Sequence, residues 1–270
     1  MIRDITIGQY YPIDSAVHRL DPRTKLFATM IFIISLFIAD DIVSYIIASV
    51  VLAVVLLASK VPLKFMFRGL KSVILLLLMS VGFNMFLTPG EVIWKFYIFT
   101  VTREGLRMAV FMGLRLIYLV LGSSVLTLTT TPNALTDGME KGLGFLKRFS
   151  VPVHEIAMMM SIALRFIPIL LEETDKIMKA QMARGADFTS GGIIARAKAM
   201  IPLLVPLFIS AIRRATDLAM AMEARCYHGG EGRTKMKPLK YKKADYLVYV
   251  CCILYLLLGI AIRIFRGRYA

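Results

Sequence analysis

The sequence predicts an all-α integral membrane protein: about five transmembrane helices, with a charged region built on two long crossed helices between the fourth and the fifth. Three observations carry this expectation. Hydrophobic residues fill 58% of the 270 positions and the mean hydropathy is +0.70, more apolar surface than a soluble domain of this length needs to bury. The apolar residues are gathered into runs that approach or reach membrane-spanning length. Charge lies between those runs, with 33 Lys and Arg against 18 Asp and Glu and a net +15. That excess fits the positive-inside rule and a bilayer with anionic lipid. The basic residues form no stripe with interleaved aromatics, so nucleic acid is not an expected partner.

The first 21 residues are polar and contain Pro12, which excludes a cleaved signal peptide and leaves insertion to the first apolar run. Apolar runs follow at residues 26–39, 42–58, 72–87, 106–128 and 246–264. The last two have the length of a full span, and the first three lie near the lower limit of about 17 residues, where flanking Lys and Arg can snorkel.

Loop charges set the orientation. His18, Arg19, Arg23 and Lys25 precede the first run, Asp40 and Asp41 follow it, and Lys60, Lys64, Arg68 and Lys71 follow the second. Basic, acidic, basic reads as inside, outside, inside, which puts the N-terminus in the cytoplasm. The stretch 88–103 carries Trp94, Tyr97 and Phe99 and suits a loop at the outer interface. The expected division is a transmembrane bundle over 1–128, a cytoplasmic helical region over 129–243, and a C-terminal transmembrane helix with its tail over 244–270. Five spans place Arg263, Arg266 and Arg268 outside, against the rule, unless part of the central region enters the membrane.

Within the central region, Thr131-Pro132-Asn133 opens a short amphipathic stretch to Phe149. Ser150-Val151-Pro152 opens a long helix to about Ala186, closed by Gly185 and the turn Thr189-Ser190-Gly191-Gly192. A second long helix runs from about Ile193 to Tyr227 and stops at Gly229-Gly230. Pro168, Pro202 and Pro206 remove backbone donors within them.

Both long helices combine methionine (Met158, Met159, Met160, Met178, Met182, Met200, Met220 and Met222) with charges such as Glu172, Glu173, Asp175, Lys176, Arg213, Arg214 and Asp217. The mixture is too charged toward the helix ends for lipid and too apolar for a free soluble hairpin. Methionine either fills core gaps here or lines an adaptable face for a sliding or changing partner.

Two tripeptides end these helices: Ala183-Arg184-Gly185 and Ala224-Arg225-Cys226. A cation in the last turn complements the carbonyl-rich helix end, so either motif alone says little. The pair says more, because a turn separates the two arginines and sends each to a different end of a bar roughly 50 Å long at about 1.5 Å per residue. Two ends suit two sockets, as a dimeric partner provides, and the guanidinium fork suits carboxylates in them.

The chain resembles the transmembrane T component of energy-coupling factor (ECF) transporters, importers of vitamins and trace metals. The resemblance is carried by HRLDPRTKL at 18–26, ALRFIPILLEE at 163–173, KAQMARGADF at 179–188 and IPLLVPLFISAIRRATDLAMAMEARCY at 201–227. It implies that Ala183, Arg184, Gly185, Ala224, Arg225 and Cys226 dock into grooves on two ABC-type ATPase subunits. Cys226 stands where the family usually has glycine, which leads us to expect a less regular second cap. The resemblance also implies that the long helices hold a substrate-binding membrane S component, with Met158, Met159, Met160, Met178, Met200, Pro202 and Pro206 as its expected seat. ATP and Mg2+ would then sit on the partner ATPases, with no cofactor on this chain, in the plasma membrane of a prokaryote. ATP-driven motion would change the angle of the crossed helices and topple the S component. A shared vitamin system and a dedicated cobalt or nickel system both remain open.

The residues fit a non-catalytic role. No GxxxxGK[ST] phosphate loop or GxSxG elbow occurs. His18, His154 and His228 are far apart, and Cys226, Cys251 and Cys252 form no CxxC, so no metal site is expected. An intramembrane enzyme would need a clustered acid or histidine constellation, and a self-sufficient transporter would show inverted repeats. Arg107, Arg115 and Arg165 resemble intramembrane charges, for which structural pairing, with Glu104 or Glu155 as candidates, is the expected role.

Overall fold

The computed structural model describes residues 10–39, 41–96, 99–186, 188, 192–230, 236 and 238–267. The expectations for Asp40, Tyr97, Thr189 to Gly191 and Arg268 lie outside these residues. The chain is an all-α membrane protein: α1 Pro22–Ile38, α2 Ile42–Ser59, α3 Leu63–Leu87, α4 Arg103–Thr129, α5 Pro132–Gly142, α6 Val153–Ala183, α7 Ile193–Glu223 and α8 Lys243–Gly267. A 3-10 stretch, Leu143–Phe149, joins α5 to α6. Where the sequence suggested a plain loop between α3 and α4, a short antiparallel hairpin forms from β1 Val92–Phe96 and β2 Phe99–Thr102, with an irregularity between Val92 and Trp94. The β-branched residues Val92, Ile93, Thr100, Val101 and Thr102 favour extended backbone there.

Among the described residues, α2, α4, α6 and α8 are each long and apolar enough to cross a membrane, and α3 qualifies when its halves Leu63–Lys71 and Val73–Leu87 are taken together. Their apolar side chains face outward: Leu57, Leu75, Leu87 and Leu247 are all well exposed, and none of the apolar window of α8 is buried. An apolar exterior of this extent is stable only in lipid.

The chain divides into two compact units. One comprises Gly8–Met139 with Leu239–Ala270 and holds α1 to α4 and α8 around a core of Phe32, Leu36, Leu52, Met66, Leu121 and Val125. Here α3 and α4 pack most closely, and a methyl group added at Gly113 would lie 3.2 Å from Val81.

Contacts fix the helix directions in this unit. Lys25 Nζ donates to the Thr129 carbonyl at 2.8 Å and Arg115 Nη2 to the Ala39 carbonyl at 3.1 Å, so α1 and α4 are antiparallel. The Asp21 amide donates to Asp245 Oδ1 at 2.9 Å, and farther along the same helices Ser35 Oγ and Tyr255 Oη are hydrogen-bonded at 2.7 Å. Helices α1 and α8 therefore run parallel. Gly259 of α8 shares a small cavity with Ala39, which puts the last turns of α8, with Arg263, at the end of the bundle away from the His18–Lys25 segment. The buried Asp245 carboxylate enforces this arrangement by accepting from both the Asp21 and Lys242 amides.

The segment before α1 is built of polar contacts. Asp21 caps the helix by accepting from the Arg23 amide at 3.0 Å, with Pro22 in the first position. Arg23 lies over the Tyr241 ring and donates to the Leu239 carbonyl. His18 Nε2 faces the Tyr11 carbonyl at 3.1 Å and Nδ1 faces Ser15 Oγ at 2.7 Å. A carbonyl only accepts, so Nε2 carries the proton and neutral Nδ1 accepts from Ser15.

Candidate functional site

The second unit, Glu140–Pro238, contains α6 and α7. Helix α6 starts at Val153 after Pro152, and both helices continue through their internal prolines. They end in the same way. At the end of α6 the Ala186 amide donates to the Gln181 carbonyl and the Gly185 amide to the Met182 carbonyl, both at 3.0 Å. At the end of α7 the Tyr227 amide donates to the Met222 carbonyl at 3.1 Å and the Cys226 amide to the Glu223 carbonyl at 2.9 Å. Each pair is the 6→1 and 5→2 closure of a Schellman motif. Arg184 and Arg225 occupy the equivalent capping position, followed by a left-handed residue, Gly185 at φ 89° and Cys226 at φ 55°.

The second cap is thus as regular as the first, contrary to the expectation from its missing glycine. A left-handed conformation costs a non-glycine residue roughly 1–2 kcal/mol, and Cys226 adopts it nonetheless because the two closing bonds satisfy orphan carbonyls. Ala183, Arg184 and Gly185 are exposed, as are Ala224, Arg225 and Cys226. Both arginines sit, exposed, at the negative end of a helix dipole.

Helices α6 and α7 are joined by Arg214 Nη2 donating to Glu173 Oε2 at 2.8 Å. The N-terminus of α6 meets the chain just beyond α7, where Gly230 lies against the His154 ring. The Arg225 cap therefore lies on the side of the Glu173–Arg214 contact that faces the start of α6, and Arg184 lies at the other end of that helix.

The residues expected to seat an S component differ in exposure. Met159, Met160, Met200 and Pro202 are exposed, whereas Met158, Met178 and Pro206 are half-buried. A larger apolar surface lies among their neighbours: Ile201, Leu204, Val205, Phe208, Ile209 and Ile212 of α7 are all more than half exposed. With Leu170 of α6, several of them border an open apolar cleft of about 500 Å³. Its signal was the spacing of 201, 204, 205, 208 and 212, one face of a helix.

In the first unit, Arg115 donates to Tyr45 Oη at 3.1 Å as well as to Ala39, and Arg107 lies over the Phe111 ring. Glu104 accepts from the Glu91 amide at 2.8 Å. Arg165 is exposed on α6. No group of three or more His, Cys, Asp and Glu residues that could hold a metal ion occurs among the described residues.

Residues 14–236 match the CbiQ family, described as "Cobalt transport protein". A relative from Clostridium kluyveri, named energy-coupling factor transporter transmembrane protein EcfT, is 52% identical over 272 residues, covering 99% of this chain and 100% of its own. Proteins of the same name from Thermosediminibacter oceani and Bacillus subtilis are 54% and 48% identical, covering 92% and 94% of this chain and 94% and 96% of their own.

Proposed function

The chain belongs to the CbiQ family and, within it, to the EcfT-type T components of energy-coupling factor transporters, and on that premise we propose that it couples two ATPase subunits to a substrate-binding S component. Arg184 and Arg225 are the docking residues in this reading. The observation that carries it is the repetition of one exposed arginine cap, bond for bond, at the ends of two consecutive long helices. Isolated helix termini have no need to match in this way, whereas two like sockets do.

ATP and Mg2+ belong to the ATPases, and this chain supplies binding and leverage. The exposed α7 face from Ile201 to Ile212, together with the exposed and adaptable Met159, Met160 and Met200, is the seat for an apolar membrane partner. The protein resides in the plasma membrane of a prokaryote with its N-terminus in the cytoplasm, as the basic His18–Lys25 segment favours. The imported substrate is a vitamin or another micronutrient held by the S component.

The test is purification of the tagged chain from native membranes. Arg184→Ala and Arg225→Ala each lower ATPase recovery, and the double variant abolishes both recovery and uptake while still inserting. Normal recovery and uptake by the double variant would overturn the assignment. Mass spectrometry of the wild-type preparation identifies the ATPases and the S components.

A further inference from the structure

We propose that Gly230, His154 and Glu140 position Arg225, forming a buttress that holds the second cap against the start of α6; the proposal rests on the docking role of Arg225. Cys226 and Gly229 both have left-handed backbone, with φ of 55° and 103°, so the chain reverses twice within five residues of Arg225. The second reversal lays Gly230 on the His154 ring so closely that a Cβ there would sit 2.3 Å from Cδ2 and 2.6 Å from Cγ. These are ring carbons held in place, and they cannot swing away as a flexible side-chain tip would.

The ring is fixed from its other side. His154 Nδ1 and Glu140 Oε1 are 2.9 Å apart, with side-chain exposures of 14% and 16%. A carboxylate only accepts, so Nδ1–H donates and the ring plane is set by α5. Nε2 is buried and has no hydrogen-bond partner among the described residues, so the bond to Glu140 is the one hydrogen bond among them that orients the ring.

The chain of contact runs Glu140 to His154 to Gly230, and then four residues back to Cys226 and Arg225. The first cap differs: no atom lies within 4 Å of a Cβ built on Gly185. The second cap has a non-glycine residue in left-handed backbone and a buttress; the first has the glycine that needs none.

The local test uses a nitroxide on Cys226, an exposed thiol, in a chain carrying Cys251→Ala and Cys252→Ala. Gly230→Ala and Glu140→Ala increase label mobility, Glu140→Gln, which keeps the acceptor, preserves order, and a label at Met182→Cys beside the first cap stays unchanged. An unaltered Cys226 spectrum in both disruptive variants, or equal mobilisation at Met182→Cys, overturns the proposal.

The functional test uses the complete complex. With Arg184→Ala, so that docking depends on Arg225, Gly230→Ala lowers ATPase recovery a further ~10-fold, a change of about 1.4 kcal/mol. With Arg225→Ala it causes no further loss. Equal losses in the two backgrounds overturn the positioning role. Failure of the docking reading shows separately, as normal recovery when both arginines are replaced.

Discussion

Glu173 and Arg214 join the two long helices through a 2.8 Å hydrogen-bonded ion pair, and each stands eleven positions before a capping arginine, Glu173 before Arg184 and Arg214 before Arg225. At about 1.5 Å per residue, both arginines lie roughly 16 Å along their helices from the same fixed point. The pair is partly exposed, at 38% for Arg214 and 26% for Glu173, so its place in the geometry matters more than its strength.

Removing that pair should affect transport far more than stability. A partly exposed ion pair contributes about 0.2–1 kcal/mol, so Glu173→Ala should barely move the melting temperature in detergent. Substrate uptake should fall several-fold because α6 and α7 lose their common fixed point. The exchange Glu173→Arg with Arg214→Glu should restore uptake; if it does not, the pair is not the connection that matters.

The second cap offers a sharper stability test. Cys226→Gly removes left-handed strain and should leave stability unchanged or raise it by up to about 1 kcal/mol, with ATPase recovery intact. Gly185→Ala introduces the same strain at φ 89° and should cost about 1 kcal/mol. Thermal melts of the two variants should therefore move in opposite senses or show only the loss.

Asp245→Ala should be among the most damaging substitutions in the bundle. It removes the acceptor of the Asp21 and Lys242 amides at the start of α1 and α8, at roughly 1–3 kcal/mol for the buried Asp21 donor and less for the partly exposed Lys242 donor. Asp245→Asn keeps one acceptor and should be milder. Membrane accumulation of the two variants, measured by blotting, should rank them in that order.

His18 makes the N-terminal segment sensitive to acid. Burial lowers its pKa below 6.5, so the unfolded chain takes up a proton more readily than the folded one. The stabilising contribution is complete above about pH 6.5 and is lost as pH falls through the lowered folded value. Melting temperature should drop between pH 7.5 and 5.5, and His18→Gln should flatten that dependence; an unchanged slope would assign it to other groups.

Several elements were legible in the sequence for local reasons. Pro152 marked the start of α6, Gly185 its end, and the apolar runs gave α2, α4 and α8, because caps, prolines and hydropathy act within a few residues. The hairpin between α3 and α4 was missed because its strands are only five and four residues long, too short for a clear alternation. Only part of the exposed apolar face of α7 was legible, because an apolar stripe reads the same in sequence whether tertiary packing covers it or leaves it open.

By itself the sequence determined that the chain lives in a membrane and that two arginines end its two long helices. Both follow from solvent preference and from the backbone groups left open at any helix end. Tertiary structure decided the rest. It set α8 parallel to α1 through the Asp21–Asp245 contact, joined α6 to α7 at Glu173 and Arg214, and laid Gly230 on His154. Each of these joins residues far apart along the chain, and no local propensity records which buried donor will find which acceptor. The regularity of the second cap belongs to the structure too, since Cys226 takes up left-handed backbone only because the closing hydrogen bonds hold it there.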